Sequence, residues 1–350
     1  MSSGARTSPA QARESADRRL PPIERTAPLT WSQLPYWIQA HRPDGHTMFT
    51  LWIEIDLPVR APVADVRAAV DELVARHEAL RTTFERGPDG EPVQRVRAAA
   101  PHPVVTCDAD DTARLERLTQ EMERPFRFAH DRLFRVLAEL RDATVVRLTL
   151  AMPHIVTDAI TNDIVRSELI ELVTARVQRR EPSLAPLGMS PVDLALHERS
   201  PVGRRRNEVA LEYWRRELMA APDRLPVSST PFDTTFYGVA LSSGRAAGQL
   251  ERLAKRFGSL PHMVYAAVIH ALLGLYFGRE RTPVKVQYSG RDRPGLWTSV
   301  GCLHRDPTMI VDSPVSMRFS ELLAAVRSKY TIGYARARFD PVGLDDIKAD

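Results

Sequence analysis

Apolar residues recur along this chain at two spacings, and the two meet at one short stretch. From Thr144 the sequence alternates, with Val146, Leu148, Leu150 and Met152 on one face, which predicts a strand with a buried side. From Ile160 to about Val177 the spacing becomes helical, with Ile160, Ile164, Val165, Leu169, Leu172 and Val173 on one stripe. Between them lies Pro153-His154-Ile155-Val156-Thr157-Asp158-Ala159, so a histidine closes a strand and an aspartate opens a helix. Turns of this kind are where a rigid scaffold presents chemistry. Two readings fit the spacing. Asp158 is an N-cap that accepts a bond from the first helical turn, beside an ordinary half-buried His154. Alternatively the carboxylate fixes a site in which the imidazole takes a proton. H-x-x-x-D by itself does not choose between them.

The same two periods organise the rest. Residues 1–28 carry Ser, Ala, Arg and Pro without periodicity and read as a disordered leader. Leu29 to Trp37 begins an ordered helical start. Met48 to Leu57 reads as a strand, and Val63 to Leu80 as a helix with Val63, Val66, Val70, Leu73 and Val74 inward. Pro88-Asp89-Gly90 marks a hairpin turn. A helix over Thr112–Glu123 and a strand over Leu133–Leu140 precede the central turn. Residues 181–207, rich in Pro, Ser and Arg, read as a linker. Beyond it, helices are expected at Glu208–Met219, Ala246–Phe257, Met263–Phe277 and Phe319–Ala335, with strands at Val284–Ser289 and Met309–Val311. Interleaved helices and strands predict layered α/β architecture in two lobes, 29–180 and 208–350.

Composition excludes several functions. No apolar run reaches the length of a membrane span, and Met1 to Arg6 lacks a signal-peptide core, so a cytoplasmic protein without a membrane partner is expected. Cys107 and Cys302 lack metal-ligand spacing and read as free thiols. Net charge is +4, and the clusters Arg179-Arg180 and Arg204-Arg205-Arg206 lack interleaved aromatics, which favours a solvated face over a nucleic-acid site. No G-x-G-x-x-G follows a strand, and neither a P-loop nor a G-x-S-x-G elbow occurs.

Six stretches in order resemble the condensation domain of nonribosomal peptide synthetases, within the chloramphenicol-acetyltransferase-like superfamily. They are Leu29 to Trp37, Arg76-His77-Glu78-Ala79-Leu80-Arg81-Thr82-Thr83-Phe84 ("RHExLRTxF"), Met152 to Ala159 ("HHxxxDG"), Tyr213 to Leu218 ("YWxxxL"), Gly290-Arg291-Asp292-Arg293-Pro294 ("GRxRP") and Val300-Gly301 ("GxFVNT"). The resemblance implies two α/β lobes in a V around a central cleft. It implies His154 as the catalytic residue, with Asp158 structural and held by Arg291 from the second lobe, a pair that would join the lobes. It also implies that carrier proteins present acyl donor and nucleophile on phosphopantetheine, with no bound cofactor and no metal.

The chain departs from the family pattern at Pro153, where the first histidine is expected, at Ala159 in place of glycine, and at Arg305 in place of asparagine. It also stops early by comparison, so an incomplete second lobe, covered by a partner chain or by self-association, is expected. The function the resemblance implies is amide- or ester-forming acyl transfer. The alternative is a degenerate module that docks a carrier protein or tailoring enzyme.

Overall fold

The computed structural model describes residues 20–42, 50–221, 242–314 and 316–347. Its contacts divide the chain into two compact units: one holds the described residues up to Arg204 together with Ser289–His304, the other Arg205–Tyr288 together with Arg305 onward.

In the first unit, β1 (Ile23–Pro28), α1 (Leu34–Ala40), β2 (Thr50–Pro62), α2 (Val63–Arg76), β3 (Thr82–Arg86), β4 (Pro92–Arg97), β5 (Val104–Asp108), α3 (Thr112–Glu123), β6 (Arg135–Arg141), β7 (Thr144–Pro153) and α4 (Ala159–Val177) follow in order. Two sheets result, a three-stranded β1-β4-β3 and a four-stranded β2-β7-β6-β5. The strand β7 is interior to the larger sheet, antiparallel to both β2 and β6. That position accounts for its composition. From Leu148 to Pro153 every residue is buried, which a strand sheeted on both edges and packed by helices requires. The expected inward face fails at its start: Val145 is fully buried and Val146 only partly. The register shift between Glu139 and Leu140 is the reason, because a bulge turns the pleat over by one residue.

The leader expected over 1–28 is corrected at its end. Ile23–Pro28 forms a strand paired with Val93–Arg97, whereas residues 1–19 lie outside the described residues. Arg25 anchors this strand through Glu78 at 2.8 Å and Asp193 at 2.5 Å. The linker expected over 181–207 is likewise helical in part. α5 (Pro191–Glu198) starts on a Ser190 cap, and α6 (Pro201–Met219) follows at once. Both open on proline, whose missing N–H is harmless in a first turn, so a proline count misleads there.

The second unit holds the later part of α6, then α7 (Gly244–Arg256), α8 (Pro261–Phe277) and β8 (Arg281–Lys285). A short helix of the first unit, α9 (Pro294–Trp297), intervenes before β9 (Thr308–Asp312) and α10 (Phe319–Ala335). Strands β8 and β9 pair antiparallel. The strand expected at Val284–Ser289 is displaced toward the N-terminus, and its tail continues only irregularly, with the Val286 N–H on the Pro307 carbonyl and a bridge between Tyr288 and Arg305. Trp214, Val264, Met309, Val311, Val326 and Tyr330 centre this unit's core. α8 is apolar on all sides, and Tyr265, Leu272, Leu275 and Tyr276 are exposed. No single helix among the described residues is long and apolar enough to cross a membrane.

Two of the buried imidazoles, His102 in the first unit and His270 in the second, are held well below their ordinary value. His102 bonds the Phe134 carbonyl at 2.8 Å, and His270 bonds the Thr282 hydroxyl at 2.6 Å and the Tyr330 hydroxyl at 3.0 Å. Burial, aided for His102 by Arg132, brings both down to about 4. The unfolded imidazoles titrate near the ordinary value of 6.5. Between pH 6.5 and about 4 the unfolded chain therefore binds more protons than the folded one, and stability must fall as pH falls through that window. We expect a lower urea midpoint at pH 5 than at pH 7, with a combined loss on the order of a few kcal/mol. Equal midpoints would mean that neither ring is buried neutral.

Candidate active site

The central turn is built by its neighbours. The β6 ladder along β7 ends at Ala151, so Pro153 stands past the last β6 partner, where a missing N–H leaves no orphaned acceptor on that side. Its carbonyl accepts the Val156 N–H at 3.0 Å and starts the turn. Ala159 begins α4 outside the set of residues with positive φ, so its methyl meets no backbone penalty.

Asp158 is 2% exposed and is the N-cap, its Oδ1 accepting the Thr161 N–H at 2.8 Å. That much is the structural reading of the aspartate. Its other oxygen does more. Asp158 Oδ2 accepts Arg291 Nη1 at 2.9 Å, the Leu303 N–H at 2.9 Å and the His304 N–H at 3.2 Å. Arg291 also donates through Nη2 to the Thr161 hydroxyl and to the Ser299 carbonyl, both at 2.9 Å. The Thr161 hydroxyl in turn donates to the Gly301 carbonyl at 2.8 Å and accepts its N–H at 3.0 Å. The Asp158–Arg291 pair forms, but it does not join two lobes as expected: Arg291 lies on Ser289–His304, which packs within the first unit as Asp158 does. It ties the start of α4 to the segment Ser289–His304. Gly290 is fixed by the same segment, because its φ of 67° favours glycine and a Cβ there would strike the Leu303 carbonyl.

His154 is half-buried. Its Nδ1 lies 2.7 Å from the Thr157 carbonyl oxygen, which can only accept, so Nδ1 carries the proton and Nε2 the lone pair. Burial first, and then the neighbouring His304, hold the imidazole below its ordinary value. Tyr36 stacks on the ring with centroids 4.4 Å apart, and His304 lies 4.6 Å away on the same measure.

Three residues here were missed by sequence reasoning: Tyr36, Cys302 and His304. Tyr36 Oη and His304 Nε2 are 2.9 Å apart, and Cys302 Sγ is 3.8 Å from His304 Nδ1. Cys302 and His304 stand two positions apart, but that spacing alone marks no site, and Tyr36 and His154 are remote from it in sequence. Arg305, which stands at the family's asparagine position, belongs to the second unit. There its guanidinium bonds the Phe339 carbonyl at 2.6 Å and covers the Phe339 ring.

The "RHExLRTxF" stretch is a brace in this structure. His77 Nε2 meets Glu168 Oε2 at 2.7 Å, Arg76 Nε donates to the same oxygen at 3.1 Å, and Glu78 holds Arg25. A cavity of about 260 Å³ elsewhere in the first unit is lined by residues such as His102, Met122, Arg127, Phe134 and Arg135, and by none of the residues around His154.

The architecture is the chloramphenicol-acetyltransferase-like α/β fold. By family the chain belongs to the Condensation domain family, whose model matches residues 23–339. It is 30% identical over 341 residues to phosphinothricin tripeptide synthetase PhsC of Streptomyces viridochromogenes, an alignment covering 92% of this chain and 31% of that protein. Against PhsB of the same organism the identity is 28% over 327 residues, covering 89% of this chain and 27% of the relative. The chain thus spans about a third or less of these synthetases. Among solved structures, the first condensation domain of the calcium-dependent antibiotic synthetase aligns with TM-score 0.76 at 19% identity, covering 92% of this chain and 77% of that one. The condensation domain of the monacolin K polyketide synthase MokA aligns with TM-score 0.77 at 17% identity, covering 93% and 76%. At those identities the likeness concerns fold.

Proposed function

We propose that this chain is an acyltransferase of the condensation type. It joins an acyl or aminoacyl thioester on a carrier protein to an amine or hydroxyl nucleophile, in the assembly of a nonribosomal peptide or a related product. His154 Nε2 takes the nucleophile's proton as the new C–N or C–O bond forms. The C–S bond then breaks, and the phosphopantetheine thiol leaves with a proton. No bound cofactor enters this scheme, because the thioester supplies the driving force. Holding two tethered reactants in line supplies several kcal/mol without any further side chain.

The observation that carries this reading is the 2.7 Å contact between His154 Nδ1 and the Thr157 carbonyl oxygen. The carbonyl can only accept, so the ring proton sits on Nδ1 and the lone pair on Nε2, and burial and then His304 lower the pKa of the ring.

The test is a pH–rate profile with a loaded carrier and excess nucleophile. Transfer requires neutral His154, and its folded pKa is depressed. The acid limb of the rate is therefore expected below pH 6.5, the ordinary imidazole value, with a plateau above it. An acid limb at or above that value, or no transfer with any carrier-bound thioester, would count against the assignment.

A further inference from the structure

The cluster at His154 holds more donors than acyl transfer uses. One ligand atom from each of His154, Cys302 and His304 lies within 4.8 Å of the other two. We propose that these three side chains form a binding site for a divalent zinc-class metal ion, through His154 Nε2, the Cys302 thiolate and His304 Nδ1.

Three observations point this way. The donor set is one sulfur and two imidazole nitrogens, the borderline mixture that zinc prefers, and three protein ligands leave a fourth tetrahedral position open. The spacing is close to what is needed. Cys302 Sγ and His304 Nδ1 are 3.8 Å apart, against about 3.5 Å between sulfur and nitrogen around tetrahedral zinc.

The outer hydrogen bonds are also in place. A ligating histidine normally gives its other N–H to an oriented oxygen, which fixes the tautomer. His154 Nδ1 does so to the Thr157 carbonyl at 2.7 Å, and His304 Nε2 faces the Tyr36 hydroxyl at 2.9 Å. For His304 the remaining nitrogen is Nδ1, the atom 3.8 Å from Cys302 Sγ. The backbone carrying Cys302 and His304 is pinned as well, because Leu303 and His304 give their N–H groups to Asp158. Binding displaces the Cys302 thiol proton to solvent, so affinity rises with pH.

A metal held there takes the lone pair of His154 Nε2. The loaded chain is then unable to transfer until the metal is removed. That consequence rests on His154 being the base; the binding itself does not.

The experiment is titration of the full chain with cobalt(II), and then displacement by zinc(II), with no substrate present. We expect one equivalent to bind, with visible bands of tetrahedral cobalt and a thiolate-to-cobalt charge-transfer band. Cys302→Ser should remove the charge-transfer band, and both Cys302→Ser and His304→Val should weaken zinc by at least about 100-fold. Tyr36→Phe removes only an outer partner and should weaken it by roughly 10–100-fold. Cys107→Ser, on β5, should leave binding unchanged. Thermal melts establish that each variant folds, and the wild-type cobalt spectrum stands whether or not they do. No saturable thiolate–cobalt signal in the wild type overturns the proposal. So does a folded Cys302→Ser protein that binds as tightly as the wild type.

Discussion

Replacing His154 with alanine is expected to lower acyl transfer by about 10²-fold or more, with a cooperative melt retained. The ring sits at the mouth of the turn rather than in the core, and the turn's own bonds are backbone bonds: Pro153 to Val156, and His154 to Thr157 at 3.3 Å. Losing the side chain removes the Tyr36 stack and the bond to the Thr157 carbonyl, but it leaves the Asp158 network in place. Rate and stability should therefore separate. The loaded-carrier assay and a thermal melt on the same preparation check this, and equal rates for variant and wild type would remove His154 from the chemistry. Since Pro153 occupies the place of the family's first histidine, the measurement also reads how far one imidazole suffices.

The second large effect belongs to Asp158 and Arg291. Their side chains are 2% and 4% exposed, so removing either strands a buried charge. Each single alanine variant is expected to lose about 3–5 kcal/mol of unfolding free energy. The double variant should lose less than the sum, because the second removal relieves the charge that the first left unpaired. Asp158→Ala carries a further loss, as the N–H groups of Thr161, Leu303 and His304 all give up an acceptor. Denaturant melts of the three variants give the coupling directly. Additive losses would mean that the 2.9 Å contact contributes little.

Much of this was legible from periodicity and motif. The helices at 112–123 and 319–335 fall where the spacing put them, and α4 begins at Ala159 because Asp158 is an effective cap. What periodicity misjudged is which residues face inward. Ile160 is 38% exposed, whereas Thr161 and Glu168 are buried. A hydrophobicity pattern scores those two as outward, but each has a dedicated partner: Gly301 and Arg291 for Thr161, His77 and Arg76 for Glu168. A polar group is buried where its hydrogen bonds are met, and partners more than 90 residues away leave no local trace.

The sequence by itself determined the alternation of elements, the H-x-x-x-D turn and the residues that carry the family. Each of these rests on neighbours a few positions apart, or on a run of letters. Only the tertiary structure decided that Ser289–His304 packs with the first unit, and that Asp158 holds two backbone N–H groups of that segment. The same packing brings Tyr36, Cys302 and His304 around His154. Each of those contacts joins residues more than 100 positions apart. Spacing along the chain carries no information about such pairs, because what sets them is the geometry of a closed backbone and the need to satisfy every buried charge.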